Sequence, residues 1–82
     1  LLVRGLRELA AFNADEFKAQ VLAALADDLR FIEGDMSGLE FIDSRGLGAL
    51  ISLHRVCRSR NGRLRLVNPS STLEQVIRIA QL

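Results

Sequence analysis

The chain has 82 residues, 49% of them hydrophobic and 26% charged, with a formal net charge of +1. That is the composition of one small globular domain rather than a disordered segment, and its near-neutral balance gives no basis for nucleic-acid binding or for attraction to an anionic membrane. No apolar run approaches the roughly 20 residues that span a bilayer, and the single cysteine, Cys57, excludes an internal disulfide and a thiolate metal cluster and points to a reducing cytoplasm.

Residues 1–4 form a short apolar run ending at Gly5, which reads as a strand. Asn13, with Glu16 three residues on, has the spacing of a capping box and predicts a helix start. Phe17, Val21 and Leu25 then recur every four residues along one apolar face, and Asp27-Asp28 marks the helix end. Residues 30–35 are the next strand, with Phe31 and Ile32 as its apolar content and Gly34 as its weak point. Ser37-Gly38 makes a turn, and Leu39, Phe41 and Ile42 lead to a corner at Asp43-Ser44.

The helix after that corner carries Leu47, Leu50, Ile51 and His54 at i, i+3, i+4 and i+7, and Ser44 reads as its N-cap. Asn61-Gly62 closes it, with Gly62 as the expected left-handed residue. Residues 63–68 alternate arginine with Leu64 and Leu66, a half-exposed strand. Pro69 breaks the chain, Ser71 and Glu74 have a second capping-box spacing, and Leu73, Val76, Ile77 and Ala80 give the last helix its apolar face. Alternating strands and helices predict an α/β domain with a mostly parallel sheet.

Several constellations carry less than they suggest. Gly46 and Gly48 lack the third glycine and the spacing of a dinucleotide fingerprint. Asp43, Ser44 and His54 invite a hydrolase reading, but Ile42 stands where a nucleophile elbow needs its first glycine. His54 lies roughly 15 Å down the same helix, beyond hydrogen-bond reach of Ser44. Arg55, Arg58, Arg60, Arg63 and Arg65 cluster at a helix end and on a strand without interleaved aromatics, which reads as a solvated face.

The run Asp35-Met36-Ser37, followed by Phe41-Ile42-Asp43-Ser44-Arg45-Gly46-Leu47 and Leu50, closely resembles the signature of the STAS domain, roughly Asp-Leu-Ser-x-x-x-Phe-Ile-Asp-Ser-Ser-Gly-Leu-x-x-Leu. This domain is shared by bacterial anti-sigma factor antagonists and the cytoplasmic tails of sulfate-type anion transporters. Weaker resemblance runs through residues 5–25 and 62–82, so one STAS-like domain is expected over residues 1–82, cut at both ends. The resemblance implies a cytoplasmic anti-sigma factor antagonist, not an enzyme, needing no cofactor or metal and not inserted in a membrane. It implies that Ser44 is the phosphorylated residue. It further implies binding to an anti-sigma factor that is also a serine kinase of the histidine-kinase-like ATPase type, with a metal-dependent serine phosphatase to reset the system. The alternative with the same fold is a regulatory module of an anion transporter or a larger sensor.

The expected partner surface is Asp43, Ser44, Arg45, Gly46, Leu47 and Ile51, with Asp35 supporting it at the end of the preceding strand. Asp43 either orients the Ser44 hydroxyl or adds negative charge before a helix N-terminus. Arg45 stands where the family commonly has Ser or Thr, which removes a second acceptor. It either stays solvated or folds over a phosphate on Ser44.

Overall fold

The structure, a computed structural model, describes residues 1–80, without the side chain of Ala80. Its elements in chain order are β1 (Leu2–Val3), β2 (Glu8–Leu9), α1 (Ala14–Ala24), β3 (Phe31–Asp35), β4 (Phe41–Ile42), α2 (Ser44–Ser59), β5 (Arg63–Val67) and α3 (Ser71–Ala80). Among the described residues β1, β3 and β5 form one sheet in that order, both pairings parallel. Parallel neighbours cannot be joined by a hairpin, and the helices between them serve as crossovers. The expected α/β domain is therefore present.

Two strands were not legible from periodicity. β2 and β4, two residues each, pair in parallel as a separate small sheet, Glu8 opposite Phe41 and Leu9 opposite Ile42. Elements that short carry no alternation to detect. They matter because β4 leads directly into the Asp43-Ser44 corner and β2 into the turn whose Ala11 meets it.

One buried cluster joins Val21 and Leu25 to Ile32, Leu53 and Cys57; a second joins Leu9 and Ala14 to Ala49 and Leu50. α2 thus packs on α1, the sheet and β2 at once. Its buried stripe is Gly46, Ala49, Leu50, Leu53 and Cys57. Of the expected stripe only Leu50 is buried, while Leu47, Ile51 and His54 are half-buried on its flank. Both sets have helical spacing. The small residues Gly46 and Ala49 win because they let the helix axis approach its neighbours closely. Leu73 is buried and Val76 and Ile77 half-buried on α3, as expected, whereas Ala80 lies outside the described side chains.

Each expected helix boundary differs in detail. Asn13 precedes α1 but makes no side-chain cap; its Oδ1 accepts from the Ala10 amide at 2.8 Å and its Nδ2 donates to the Glu8 carbonyl at 2.9 Å. α1 ends at Ala24, ahead of Asp27-Asp28. Asn61, not Gly62, takes the left-handed conformation after α2, with φ 61°. Gly62 is needed for space: a Cβ there would overlap the Arg30 carbonyl. Ser70, not Ser71, caps α3, its Oγ accepting from the Leu73 amide at 3.1 Å.

Candidate functional site

β3 delivers the chain to Asp35, whose Oδ1 accepts from the Ser37 amide at 3.0 Å and from Asn68 Nδ2 at 3.4 Å. The backbone amide of Ser37 is the main reason its carboxyl lies below the usual carboxylate range. The chain turns at Ser37-Gly38, returns as β4 and packs the half-buried Ile42 against the second core cluster. Asp43 then starts α2.

Asp43 is the N-cap. Its backbone is extended (φ −112°, ψ −173°), and its Oδ1 accepts from the Gly46 amide at 2.9 Å. This corrects the sequence reading, which gave the cap to Ser44. The second oxygen, Oδ2, accepts from the Ala11 amide at 2.9 Å. One carboxylate therefore closes the helix start and ties it to the loop before α1. The Gly46 amide first, and the Ala11 amide second, hold the Asp43 carboxyl below the usual range. Hydrogen bonds to the charged form favour that form.

Ser44 is the first residue of α2, and it is exposed. Its side chain makes no hydrogen bond among the described residues. Arg45 is exposed too, with no ion pair among the described residues. Gly46 is buried because the helix start sits on the Leu9 carbonyl, which a Cβ would overlap; that Cβ would also lie 3.0 Å from Ile42 Cγ1. Leu47 and Ile51 are half-buried on the next turn. Asp43, Ser44, Arg45, Gly46, Leu47 and Ile51 are thus gathered at one helix end, whereas Asp35 is engaged by the turn beyond β3.

The Ala11 amide is the contributor that sequence reasoning missed. An alanine carries no chemical signal, and only folding shows that its N–H reaches Asp43.

A free hydroxyl beside an ionised, fully engaged carboxylate is a poor nucleophile, because the adjacent base is weak and both its oxygens are occupied. The same hydroxyl is open to modification. A phosphate there would add about −1.5 to −2 charge at pH 7 beside the Asp43 carboxylate. The α2 dipole favours that charge, and Arg45 is the nearest cation in sequence. Among the described residues no cluster of His, Cys, Asp and Glu is arranged to hold a metal ion, and no helix is long and apolar enough to cross a membrane. Cys57 is buried, and burial pushes its thiol pKa up, away from reactivity. The arginines also divide: Arg60 Nη1 donates to the Ala26 and Leu29 carbonyls at 2.9 and 2.8 Å, while Arg58, Arg63 and Arg65 line an open groove of about 770 Å³.

The model of the STAS domain family matches residues 1–82. An "Anti-sigma F factor antagonist" of Lysinibacillus sphaericus is 29% identical over 83 residues, covering 100% of this chain and 71% of that protein. The solved structure of the anti-sigma factor antagonist SpoIIAA in its unphosphorylated form superposes with a TM-score of 0.81 at 26% identity, covering 95% of this chain and 72% of that one. The phosphorylated form of the Bacillus cell fate determinant SpoIIAA gives 0.79 at 26% identity, with 96% and 72% coverage. The murine Solute Carrier 26 family member A9 anion transporter, inward-facing, gives 0.81 at 26% identity, where 95% of this chain matches 13% of that one.

Proposed function

Since the chain belongs to the STAS domain family, we propose that it works as an anti-sigma factor antagonist whose grip on its partner is set by phosphate on Ser44. It is a binding regulator of the bacterial cytoplasm rather than an enzyme. Unphosphorylated, it sequesters an anti-sigma factor and so frees a sigma factor. That anti-sigma factor is also the serine kinase, of the histidine-kinase-like ATPase type, and a metal-dependent serine phosphatase reverses the modification. The partner lies over Asp43, Ser44, Arg45, Gly46, Leu47 and Ile51.

The observation that carries this reading is the division of labour at the α2 start. Asp43 caps the helix and leaves the Ser44 hydroxyl exposed and unbonded. Phosphate can be added without removing the cap. Near-equal likeness to the unphosphorylated and phosphorylated forms of SpoIIAA, with TM-scores of 0.81 and 0.79, supports a switch that keeps the fold. The switch is then electrostatic. Leaving a charge unpaired in an interface costs about 2–5 kcal/mol, a roughly thirty- to several-thousand-fold loss of affinity.

The test is to purify the protein from its native cells with phosphatases inhibited and map phosphate on the Ser44 peptide. Phosphate on Ser44, with a kinase-like ATPase bound to the unphosphorylated fraction only, is the expected result. A Ser44 unmodified across growth and stress conditions would sink this reading in favour of a transporter or sensor module.

A further inference from the structure

We infer that Phe12 is a second anchor of the surface that docks over Ser44: an exposed aromatic side chain, on a turn tied through Ala11 to the cap of α2, that inserts into an apolar cleft of the anti-sigma factor. The inference rests on the Ser44 reading and adds to it a contact that carries no charge.

The chain has four phenylalanines and no tryptophan or tyrosine. Among the described residues only Phe17 packs against the core. Phe12, Phe31 and Phe41 are 71%, 51% and 55% exposed. Phe31 lies on the sheet with the Arg30 guanidinium 5.4 Å from its ring centroid. Phe12, the most exposed of the three, has no such cover among the described residues.

The turn that carries Phe12 is not loose. The Asn13 and Ala14 amides donate to the Ala10 carbonyl at 3.0 and 2.7 Å. Asn13 Oδ1 accepts from the Ala10 amide, and its Nδ2 holds the Glu8 carbonyl. The Ala11 amide bonds Asp43 Oδ2. Leu9, Ala10 and Ala14 are buried. Backbone and neighbours are fixed, and the one large apolar side chain of the turn faces solvent.

Phe12 is one peptide step, about 3.8 Å between Cα atoms, from the residue that bonds Asp43. Ser44 is one step from Asp43 on the other side. Phe12 and Ser44 are thus each one residue along the chain from a partner in the Ala11–Asp43 hydrogen bond, which ties the two backbone segments together. Interface centres are enriched in aromatics, and an anchor on a backbone already fixed loses only its few side-chain rotamers on binding. The partner's matching chemistry is an apolar cleft next to a pocket that accepts an uncharged hydroxyl.

The test is photo-crosslinking in native cells, with benzoylphenylalanine replacing Phe12 in one strain and Arg45 in another. The same polypeptide should be captured at both positions, identified by mass as an anti-sigma factor, and both crosslinks should vanish with Ser44→Asp. Capture at Arg45 without capture at Phe12 overturns the inference and leaves the Ser44 reading standing. Capture at Phe12 of a second copy of this chain alone also overturns it. No capture at either position defeats the Ser44 reading and the inference with it. With the captured protein purified, Phe12→Ala should raise Kd about thirtyfold, as for an interface hot spot, with an unchanged melting temperature. An unchanged Kd would refute the anchor.

Discussion

At its C-terminal end, α2 is followed by Gly62, packed on the Arg30 carbonyl, and Arg60 turns its guanidinium onto the Ala26 and Leu29 carbonyls. At its N-terminal end, Gly46 packs on the Leu9 carbonyl and Asp43 receives the Gly46 and Ala11 amides. Both ends use a glycine for close backbone approach and one charged side chain to join two segments. They differ in what remains outside. Arg60 is consumed by structure, whereas Ser44 and Arg45, next to Asp43, stay exposed. Capping and display are assigned to different residues, so the hydroxyl can change its charge without undoing the helix start.

If the two glycines serve the same purpose, adding one methyl group at either should have the largest effect on stability. Gly62→Ala places a Cβ on the Arg30 carbonyl, and Gly46→Ala places one on the Leu9 carbonyl. In both cases the obstacle is backbone, which cannot swing aside. We expect each to cost about 3 kcal/mol or more, a large share of the stability of a small domain, measured by urea unfolding. Tolerance at one site only would break the symmetry of the two ends and show which segment can move.

The long elements were legible because their signals are distributed. Phe17 and Val21, with Leu25 at the C-cap, mark α1 by spacing, and the Arg63–Val67 strand alternates over residues 63–66. The Asp43-Ser44 corner stood out through its motif. What escaped was decided by single backbone conformations or by contacts distant in sequence. Asp43 and Ser44 are both good caps, and only the extended backbone at Asp43 selects between them. Asn61 and Gly62 can each adopt positive φ, and the Arg30 carbonyl decides why the glycine is there. Asn13 prefers the turn behind it to the helix ahead, because Ala10 and Glu8 offer it two partners. The Ala11 contact to Asp43 joins positions 32 apart.

A smaller effect, with a defined pH dependence, is expected at the N-terminal carboxylate. The folded Asp43 carboxyl titrates below its ordinary value of 3.8, chiefly because the Gly46 and Ala11 amides bond its charged form. Its contribution is therefore fully present above about 3.8 and is lost as pH falls through the lower folded value. Asp43→Asn keeps an acceptor for one amide and loses the acceptor for the other. The variant should melt at a lower temperature than wild type near neutral pH, and the difference should shrink in acid. Asp35, also lowered, leaves a residual acid dependence in the variant. A difference that is constant with pH would show that Asp43 acts there through shape alone.

The smallest effect should have the opposite sign. Gly48 lies one turn into α2, half-buried, and a Cβ there would meet nothing within 4 Å. Replacing a helical glycine with alanine removes backbone freedom from the unfolded chain, worth about 0.5–1 kcal/mol when no contact opposes it. Gly48→Ala should therefore raise stability, in contrast to Gly46→Ala two residues earlier, and thermal melting of the pair distinguishes them. The contrast also separates fold from docking. Gly48 lies between Leu47 and Ile51, so a Gly48→Ala protein that is more stable yet binds the proposed anti-sigma factor less well would place the open space at Gly48 within the proposed docking surface. A stable variant with unchanged binding would leave Gly48 outside that surface.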